Sequence, residues 1–153
     1  MSENLKIALI NGPNLNTLGK RQPEIYGTTT LKDIEFDLIE KANKLGFSLI
    51  CKQSNHEGEL IDFIQSLDGT CKGVIINPGA LMMNGYSLLD AILGSDLPFV
   101  EVHISNVYRR ESFRHKSILA SACIGQITGF GIQSYDLGLT ALTMHLKNTS
   151  SKN

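Results

Sequence analysis

Several features are missing from this chain of 153 residues, and each absence argues against a class of function. The net charge is -1, so no overall positive field attracts nucleic acid and no acidic tail is present. No apolar run approaches the roughly 18 to 20 residues that a membrane-spanning helix needs. The first residues, MSENLK, are polar and lead directly into a strand. We therefore expect no secretory signal and predict a cytoplasmic protein without a membrane or nucleic-acid partner.

Cysteine is scarce, and its pattern argues against disulfides and metal sites. Cys51, Cys71 and Cys123 are odd in number and form no CxxC pair. They are predicted to be reduced structural thiols, as is usual in a reducing compartment. The four histidines, at positions 56, 103, 115 and 145, lack helical i, i+4 spacing and have no neighbouring cysteine, so no metal site is predicted. A nucleophile elbow, a P-loop and GxGxxG are also missing, which leaves hydrolase, kinase and dinucleotide-binding functions without support.

The residues that are present predict one globular domain over 1–153 with alternating strands and helices. Apolar residues make up 42% of the chain and charged residues 19%, an ordinary balance for a folded protein. Thr30 and Asp33 resemble a capping box, and Asn55 can cap the following helix. Apolar runs predict strands at 6–11, 48–53, 73–77, 97–102 and about 125–130. Helical spacing predicts helices at 31–45, 57–67, 86–93 and 134–147, with a frayed tail over 148–153.

This alternation predicts an α/β fold with a five-stranded parallel sheet. Strands that are apolar throughout, separated by amphipathic helices, are typical of a sheet covered on both faces. We predict a flavodoxin-like three-layer sandwich with strand order 2-1-3-4-5. In that order, ligands bind where the direction of strand addition reverses, beyond the carboxyl ends of the strands. The loops after strands one, three and four should therefore meet.

Polar and cationic side chains are concentrated in these three loops. The candidates are Asn11, Asn14, Arg21 and Tyr26; Asn77 with the backbone amides of Gly79 and Ala80; and His103, Ser105, Asn106, Arg109, Arg110 and Arg114. The arginines, with Lys20 and Lys116, form a local cationic cluster. In a nearly neutral chain, such a cluster indicates a small anionic ligand. The alternative is an ordinary solvated charged loop.

Tyr26 and His103 could supply a base and an acid to such a ligand. The pKa of a free phenol is about 10, but a nearby cation such as Arg21 favours the phenolate and would make Tyr26 a usable base. A histidine can donate or accept a proton near neutral pH. The alternatives are a packing role for the tyrosine and a structural role for the histidine. A base, an acid and an anion clamp suit proton abstraction next to a carbonyl, followed by loss of a leaving group.

Six ordered segments carry a family resemblance that covers nearly the whole chain. They are NGPNLNTLGKRQPEIYG, QSNHEGELID, INPGA, EVHISN, RESFRHKS and GFGIQSY. In these segments the chain resembles the type II 3-dehydroquinate dehydratases of the shikimate pathway. The resemblance implies the same flavodoxin-like fold and a dodecamer built as a tetramer of trimers. It also implies that 3-dehydroquinate loses water through an enolate, with no cofactor, metal or Schiff base.

The resemblance also implies residue roles. Tyr26 matches the base, Arg21 an essential arginine on a lid over the site, and Asn14 an asparagine that holds water near the enolate oxygen. His103 matches the proton donor to the leaving hydroxyl, and Glu101 the residue that orients it. The substrate-binding positions that match are Asn77, Met83, Ile104, Ser105, Arg110 and Arg114, together with Asp90, which would reach the site from a neighbouring subunit.

Met83 is a departure from the family pattern, which has a substrate-binding histidine at this position. A methionine has no hydrogen to donate and only a weak sulfur acceptor. An unreplaced hydrogen bond would cost on the order of 1 to 3 kcal/mol. An alternative function is therefore a weakened or substrate-altered paralogue that binds a cyclohexane carboxylate. Gly138 also stands where the family usually has alanine. A third possibility, a flavin-binding protein, is disfavoured because the chain has no tryptophan to enclose the flavin ring.

Overall fold

The computed structural model describes residues 4–20 and 22–150, except for the side chains of residues 25 and 26. Its centre is a five-stranded sheet in the order β2-β1-β3-β4-β5, and every neighbouring pair is parallel. The strands are β1 (Leu5–Asn11), β2 (Phe47–Gln53), β3 (Val74–Asn77), β4 (Phe99–His103) and β5 (Gly125–Thr128). The predicted α/β fold, strand order and flavodoxin-like architecture are confirmed.

Helices cover both faces of the sheet. They are α1 (Pro23–Tyr26), α2 (Leu31–Lys44), α3 (Glu57–Ser66), α4 (Leu81–Asn84), α5 (Tyr86–Ser95) and α6 (Gln133–Ser150). Short 3₁₀ helices lie at Leu15–Thr17, Val107–Arg109, Ser112–Arg114 and Ala120–Ala122. The described part of the chain contains no helix with the length and apolar character needed to span a membrane.

Alternate residues of each central strand belong to different cores. Ile7 and Leu9 of β1 pack with α2 and α6, whereas Ala8 and Ile10 pack with α3 and α5. All four are fully buried, because successive side chains of a strand point to opposite faces. Burial on both faces explains why the strands are apolar throughout rather than alternating.

The helix ends test the sequence predictions in detail. The capping box that starts α2 is present: Asp33 N donates to Thr30 Oγ1 over 3.2 Å, and Thr30 N donates to Asp33 Oδ2 over 3.1 Å. The predicted Asn55 cap of α3 is wrong, since His56 occupies the cap position without a side-chain cap bond. Helix α6 continues to Ser150, so residues 148–150 of the predicted frayed tail are helical, and residues 151–153 lie outside the described residues.

Close backbone packing brings the first and third strand loops together. Gly12 N donates to Asn77 O over 2.8 Å. A side chain at position 12 would have no room beside the Pro78 carbonyl, so this approach requires glycine. The two loops therefore meet at the carboxyl edge of the sheet, as the topology predicted.

Candidate active site

A cavity of about 220 Å³ opens at the carboxyl ends of β1, β3 and β4. Three loops contribute its walls, because parallel strands all end at this edge. Nine of the residues predicted for the site line it: Asn14, Asn77, Gly79, Ala80, His103, Ile104, Ser105, Arg110 and Arg114. Leu15, Leu18, Met82 and Val107 add apolar surface. This combination of apolar walls and a few convergent polar groups is typical of a small-molecule site.

His103, the last residue of β4, is held by a buried carboxylate. Glu101 Oε2 lies 2.5 Å from His103 Nε2, and both side chains are buried. A carboxylate oxygen only accepts hydrogen bonds, so we assign the proton of the neutral imidazole to Nε2. That assignment leaves Nδ1 as the ring nitrogen available to a ligand. When the ring is protonated, the same carboxylate balances the charge of the imidazolium.

Two further side chains bind Glu101. Ser117 Oγ donates to Glu101 Oε1 over 2.8 Å, and Gln126 Nε2 donates to Glu101 Oε2 over 2.9 Å. Glu101 is fully buried, so these bonds replace water as partners of its charge. The negative charge also acts on Cys123: burial first, and the charge of Glu101 second, raise the pKa of that thiol to about 12.

A buried tyrosine connects two asparagines next to the cavity. Tyr135 OH donates to Asn11 Oδ1 over 2.6 Å and accepts from Asn77 Nδ2 over 2.8 Å. Asn77 Oδ1 accepts in turn from Gly79 N over 3.2 Å. Burial raises the pKa of Tyr135 above its ordinary value, so its hydroxyl remains protonated and can donate. These bonds leave one hydrogen of Asn77 Nδ2 and one lone pair of Asn77 Oδ1 for a ligand.

Asn14 lines the cavity with an unusual backbone conformation. Its φ of 72° is left-handed, a conformation that asparagine tolerates better than most residues. Asn14 N donates to Asn55 Oδ1 over 2.9 Å, and Asn55 Oδ1 also accepts from Gln53 Nε2 over 3.2 Å. Asn55 therefore ties the loop after β2 to the loop after β1, instead of capping α3.

The predicted cationic cluster is only partly gathered. Arg110 and Arg114 line the cavity, whereas Arg109, Lys20 and Lys116 are exposed outside its walls. Arg114 Nε donates to Glu111 Oε2 over 2.5 Å. This bond lowers the pKa of Glu111, which is therefore ionised at neutral pH and offsets part of the positive charge.

Several of the predicted site residues are not among those that line the cavity. Asn11 and Glu101 lie behind its walls as hydrogen-bond partners of Tyr135 and His103, and Asn106 and Arg109 are not part of its lining. Arg21 lies outside the described residues, and Tyr26 ends α1 with its side chain outside the description. Met83 is half-buried in α4, but Met82 is the α4 methionine that lines the cavity. Asp90 is exposed on α5 and lines a separate groove between α3 and α5.

Ser117, Gln126, Tyr135 and Asn55 are site residues that the sequence reasoning did not assign. Each acts through a hydrogen bond to a residue of another element, so its role depends on contacts distant in sequence. Gln126 gave the clearest available signal, as a polar residue in a strand next to β4. Within the described residues, no group of three His, Cys, Asp or Glu side chains could hold a metal ion.

Comparison with known proteins identifies the family. Residues 5–143 match the family described as Dehydroquinase class II. The chain belongs to this family. It is 51% identical over 152 residues to 3-dehydroquinate dehydratase from Gloeobacter violaceus (strain ATCC 29082 / PCC 7421), covering 99% of this chain and 95% of that one. It is 54% identical over 144 residues to the enzyme of the same name from Prochlorococcus marinus (strain MIT 9515), covering 94% and 99%.

The fold agrees with that of a solved class II dehydroquinase. The crystal structure of type II dehydroquinase from Propionibacterium acnes superposes with a TM-score of 0.89 at 37% identity, covering 94% of this chain and 99% of that one. The resemblance found in the six sequence segments is therefore confirmed at the level of the family and the fold.

Proposed function

We propose that the protein is a 3-dehydroquinate dehydratase that converts 3-dehydroquinate to 3-dehydroshikimate in the shikimate pathway. The observation that carries the proposal is a single cavity in which His103, backed by buried Glu101, lies among two arginines and two asparagines. The family membership supports the substrate, and the cavity supplies groups suited to an anionic ring compound.

Proton abstraction next to the ketone is assigned to Tyr26, with Arg21 favouring its phenolate form. The support is positional: Leu15, Thr17 and Leu18 line the cavity, and α1, which ends at Tyr26, follows in the same loop. Closure of this loop would bring the base to the substrate and exclude water.

Loss of water is assigned to His103. Its Nε2 is bonded to Glu101, so the proton for the leaving hydroxyl comes from Nδ1 of the imidazolium. The charge of Glu101 stabilises that cation before the transfer. Asn14 is assigned to hold a water near the enolate oxygen.

Substrate binding is assigned to the remaining walls. Arg114 and Arg110 supply positive charge, the Ile104–Ser105 backbone follows directly after the acid, and Asn77 offers an amide fixed by Tyr135. A guanidinium matches the planar geometry of the substrate carboxylate. No cofactor takes part in this proposal.

The decisive experiment is a direct assay. Purified protein mixed with 3-dehydroquinate, with no metal added, should develop the ultraviolet absorbance of a conjugated enone. Tyr26→Phe should lose most turnover and keep ligand binding, because it removes only the base oxygen. Tyr108→Phe is the matched control, as Tyr108 is an exposed phenol outside the cavity, and it should retain full activity. A wild-type protein without enone formation at high concentration would refute the function, and full turnover in Tyr26→Phe would refute the base.

The alternative function is a paralogue that binds a cyclohexane carboxylate with weak or altered chemistry. Its support is Met83, together with the apolar surface that Met82 gives the cavity. Calorimetry showing tight binding of such a carboxylate without conversion would favour it. A gain of turnover in Met83→His would instead indicate that the remaining catalytic groups are intact.

Assembly into a dodecamer, with Asp90 reaching the site of a neighbouring subunit, is the remaining part of the proposal. Asp90 is exposed on α5 and close to other surface residues of α3 and α5, a position open to a second chain. Light scattering after gel filtration should give twelve times the mass of one chain. A monomer with full activity would contradict the role of Asp90.

A further inference from the structure

We propose that Gln126 and Ser117 are positioning residues that fix the carboxylate of Glu101 and, through it, the proton arrangement of His103. This inference rests on the proposed function, in which His103 protonates the leaving group. It concerns two residues outside the cavity walls, which act on the reaction only through Glu101.

The three donors reach Glu101 from three different parts of the fold. His103 belongs to β4, the strand that also carries Glu101. Gln126 of β5 is the direct partner of Glu101 in the β4–β5 register. Ser117 lies in the segment between Arg114 and the turn at Ala120–Ala122. Both carboxylate oxygens are engaged, Oε1 by Ser117 and Oε2 by Gln126 and His103. The carboxylate cannot turn away from the imidazole without breaking a buried bond.

The other hydrogen bonds of Ser117 Oγ direct its hydroxyl proton toward Glu101. Ser117 Oγ accepts from Leu119 N and from Ala120 N, each over 3.2 Å. A serine oxygen has two lone pairs and one proton, so these two bonds leave the proton for Glu101. The turn that follows Ser117 therefore orients the hydroxyl toward the carboxylate, which is what a positioning role requires.

Gln126 controls the oxygen that the histidine uses. Its amide and His103 Nε2 share Glu101 Oε2, so the amide holds this oxygen in place. Without the amide, Oε2 would keep the imidazole as its one polar partner among the described residues, and only Ser117 on Oε1 would oppose rotation of the carboxylate away from the imidazole. The fixed Nε2–H tautomer would then give way to a mixture of the two neutral forms.

Kinetics test the proposal first. Gln126→Leu and Ser117→Ala should each lower kcat by about tenfold and change KM by less than about twofold, since each loses a charge-assisted hydrogen bond to Glu101, which orients the acid His103. Ser117→Thr, which keeps a hydroxyl, should restore kcat. Ser121→Ala is the matched control, because Ser121 is exposed in the adjacent turn. Unchanged kcat in both variants would overturn the proposal.

A double-mutant cycle separates positioning from general damage. In a Glu101→Gln background, the further change Gln126→Leu should cost less than about twofold in kcat, because its target is already altered. An undiminished tenfold cost in that background would show that Gln126 acts by another route and would overturn the assignment.

A spectroscopic measurement keeps the inference independent of activity. In wild-type protein labelled with ¹⁵N-histidine, the neutral His103 ring should show a protonated Nε2 and an unprotonated Nδ1, with signals assigned using His103→Gln. Gln126→Leu and Ser117→Ala should shift both signals toward the average of the two tautomers. A pure Nε2–H tautomer in both variants would overturn the inference. The absence of enone formation, by contrast, would refute the proposed function and leave this measurement interpretable.

Discussion

The hydroxyl of Tyr135 makes two buried hydrogen bonds next to the cavity. It is buried in α6, and it both donates to Asn11 and accepts from Asn77. Among the described side chains, the Asn11 amide nitrogen is the one buried polar atom without a partner. The group of three residues therefore already has an unmet hydrogen bond, and it has little tolerance for losing another.

Tyr135→Phe should destabilise the protein by about 2 kcal/mol or more, because two buried amide groups lose a partner while the ring is retained. It should also raise KM, since Asn77 would no longer be held in one orientation beside the substrate. Urea unfolding and steady-state kinetics measure the two effects. Tyr86→Phe, at an exposed tyrosine, is the control and should change neither. Wild-type stability in Tyr135→Phe would contradict the importance of this group.

Residues at strand ends could be predicted individually, but their supporting side chains could not. His103 and Asn77 end β4 and β3, so the topology alone placed them at the cavity. Tyr135 reaches Asn11 across 124 positions of sequence, and no local pattern encodes that contact. The pairing of Arg21 with Tyr26 remains a prediction, since it falls on residues that the structure does not describe in full.

Helix α6 shows how packing can outweigh helix propensity. Gly138 is buried in its middle, although glycine costs about 1 kcal/mol relative to alanine in a helix interior. A Cβ at this position would lie 2.7 Å from Val102 Cγ1 and 3.3 Å from Ile75 Cγ2. Both neighbours are fully buried and β-branched, so they have little freedom to move. Glycine lets α6 lie directly against β3 and β4.

Gly138→Ala should therefore destabilise the protein by roughly 1 kcal/mol, despite the gain in helix propensity, because overpacking costs about 1 to 3 kcal/mol. Thermal and urea unfolding measure whether the substitution lowers or raises the free energy of unfolding. Gly94→Ala in α5 is the matched control: nothing lies near its added Cβ, so propensity alone should act and stabilise the protein. Equal stabilisation by both substitutions would show that α6 can move away from the sheet.

The apolar strands were predicted to within about two residues at each end. The errors lie where neither periodicity nor composition decides the boundary. Strand β4 begins at Phe99 rather than at position 97, and Pro98 lies between the two starts. Helix α5 continues through Gly94 to Ser95, because a glycine there ends a helix only if the backbone turns. The start of α2 was predicted more firmly, since Thr30 and Asp33 form local bonds that the sequence itself specifies.

At the scale of the whole molecule, one topological feature gathers the site. The strand order places β1 and β3 side by side, although β2 and α3 lie between them in sequence. The same order sets β5 beside β4 and brings Gln126 to Glu101. The strand order therefore places the cavity residues and also the pair of Glu101 and Gln126 behind them. For this reason, the predicted strand order located more of the site than any single sequence motif did.

The two layers of helices also bury groups that ionise at high pH. Burial, followed by the charge of Glu35, raises the pKa of Cys51 to about 12, and burial with Glu101 does the same for Cys123, against an ordinary value of 9.0. In the unfolded chain these thiols lose their protons near pH 9, whereas in the folded protein they keep them to about pH 12. Between those limits the folded state binds more protons, so stability must fall as pH rises.

The free energy of unfolding should accordingly be steady below pH 9 and decrease between pH 9 and 12, by on the order of 1 kcal/mol or more per thiol at pH 11. Urea unfolding at pH 8, 9.5 and 11 measures the slope. The control is the double variant Cys51→Ala/Cys123→Ala, whose absolute stability is lower but whose slope should be shallower, since its remaining alkaline loss comes from other groups such as Tyr135, whose pKa is also raised by burial. Identical slopes in the two proteins would mean that the two thiols ionise in the folded state as readily as in the unfolded chain, and that Cys51 and Cys123 are covered less completely than their packing against the two cores indicates.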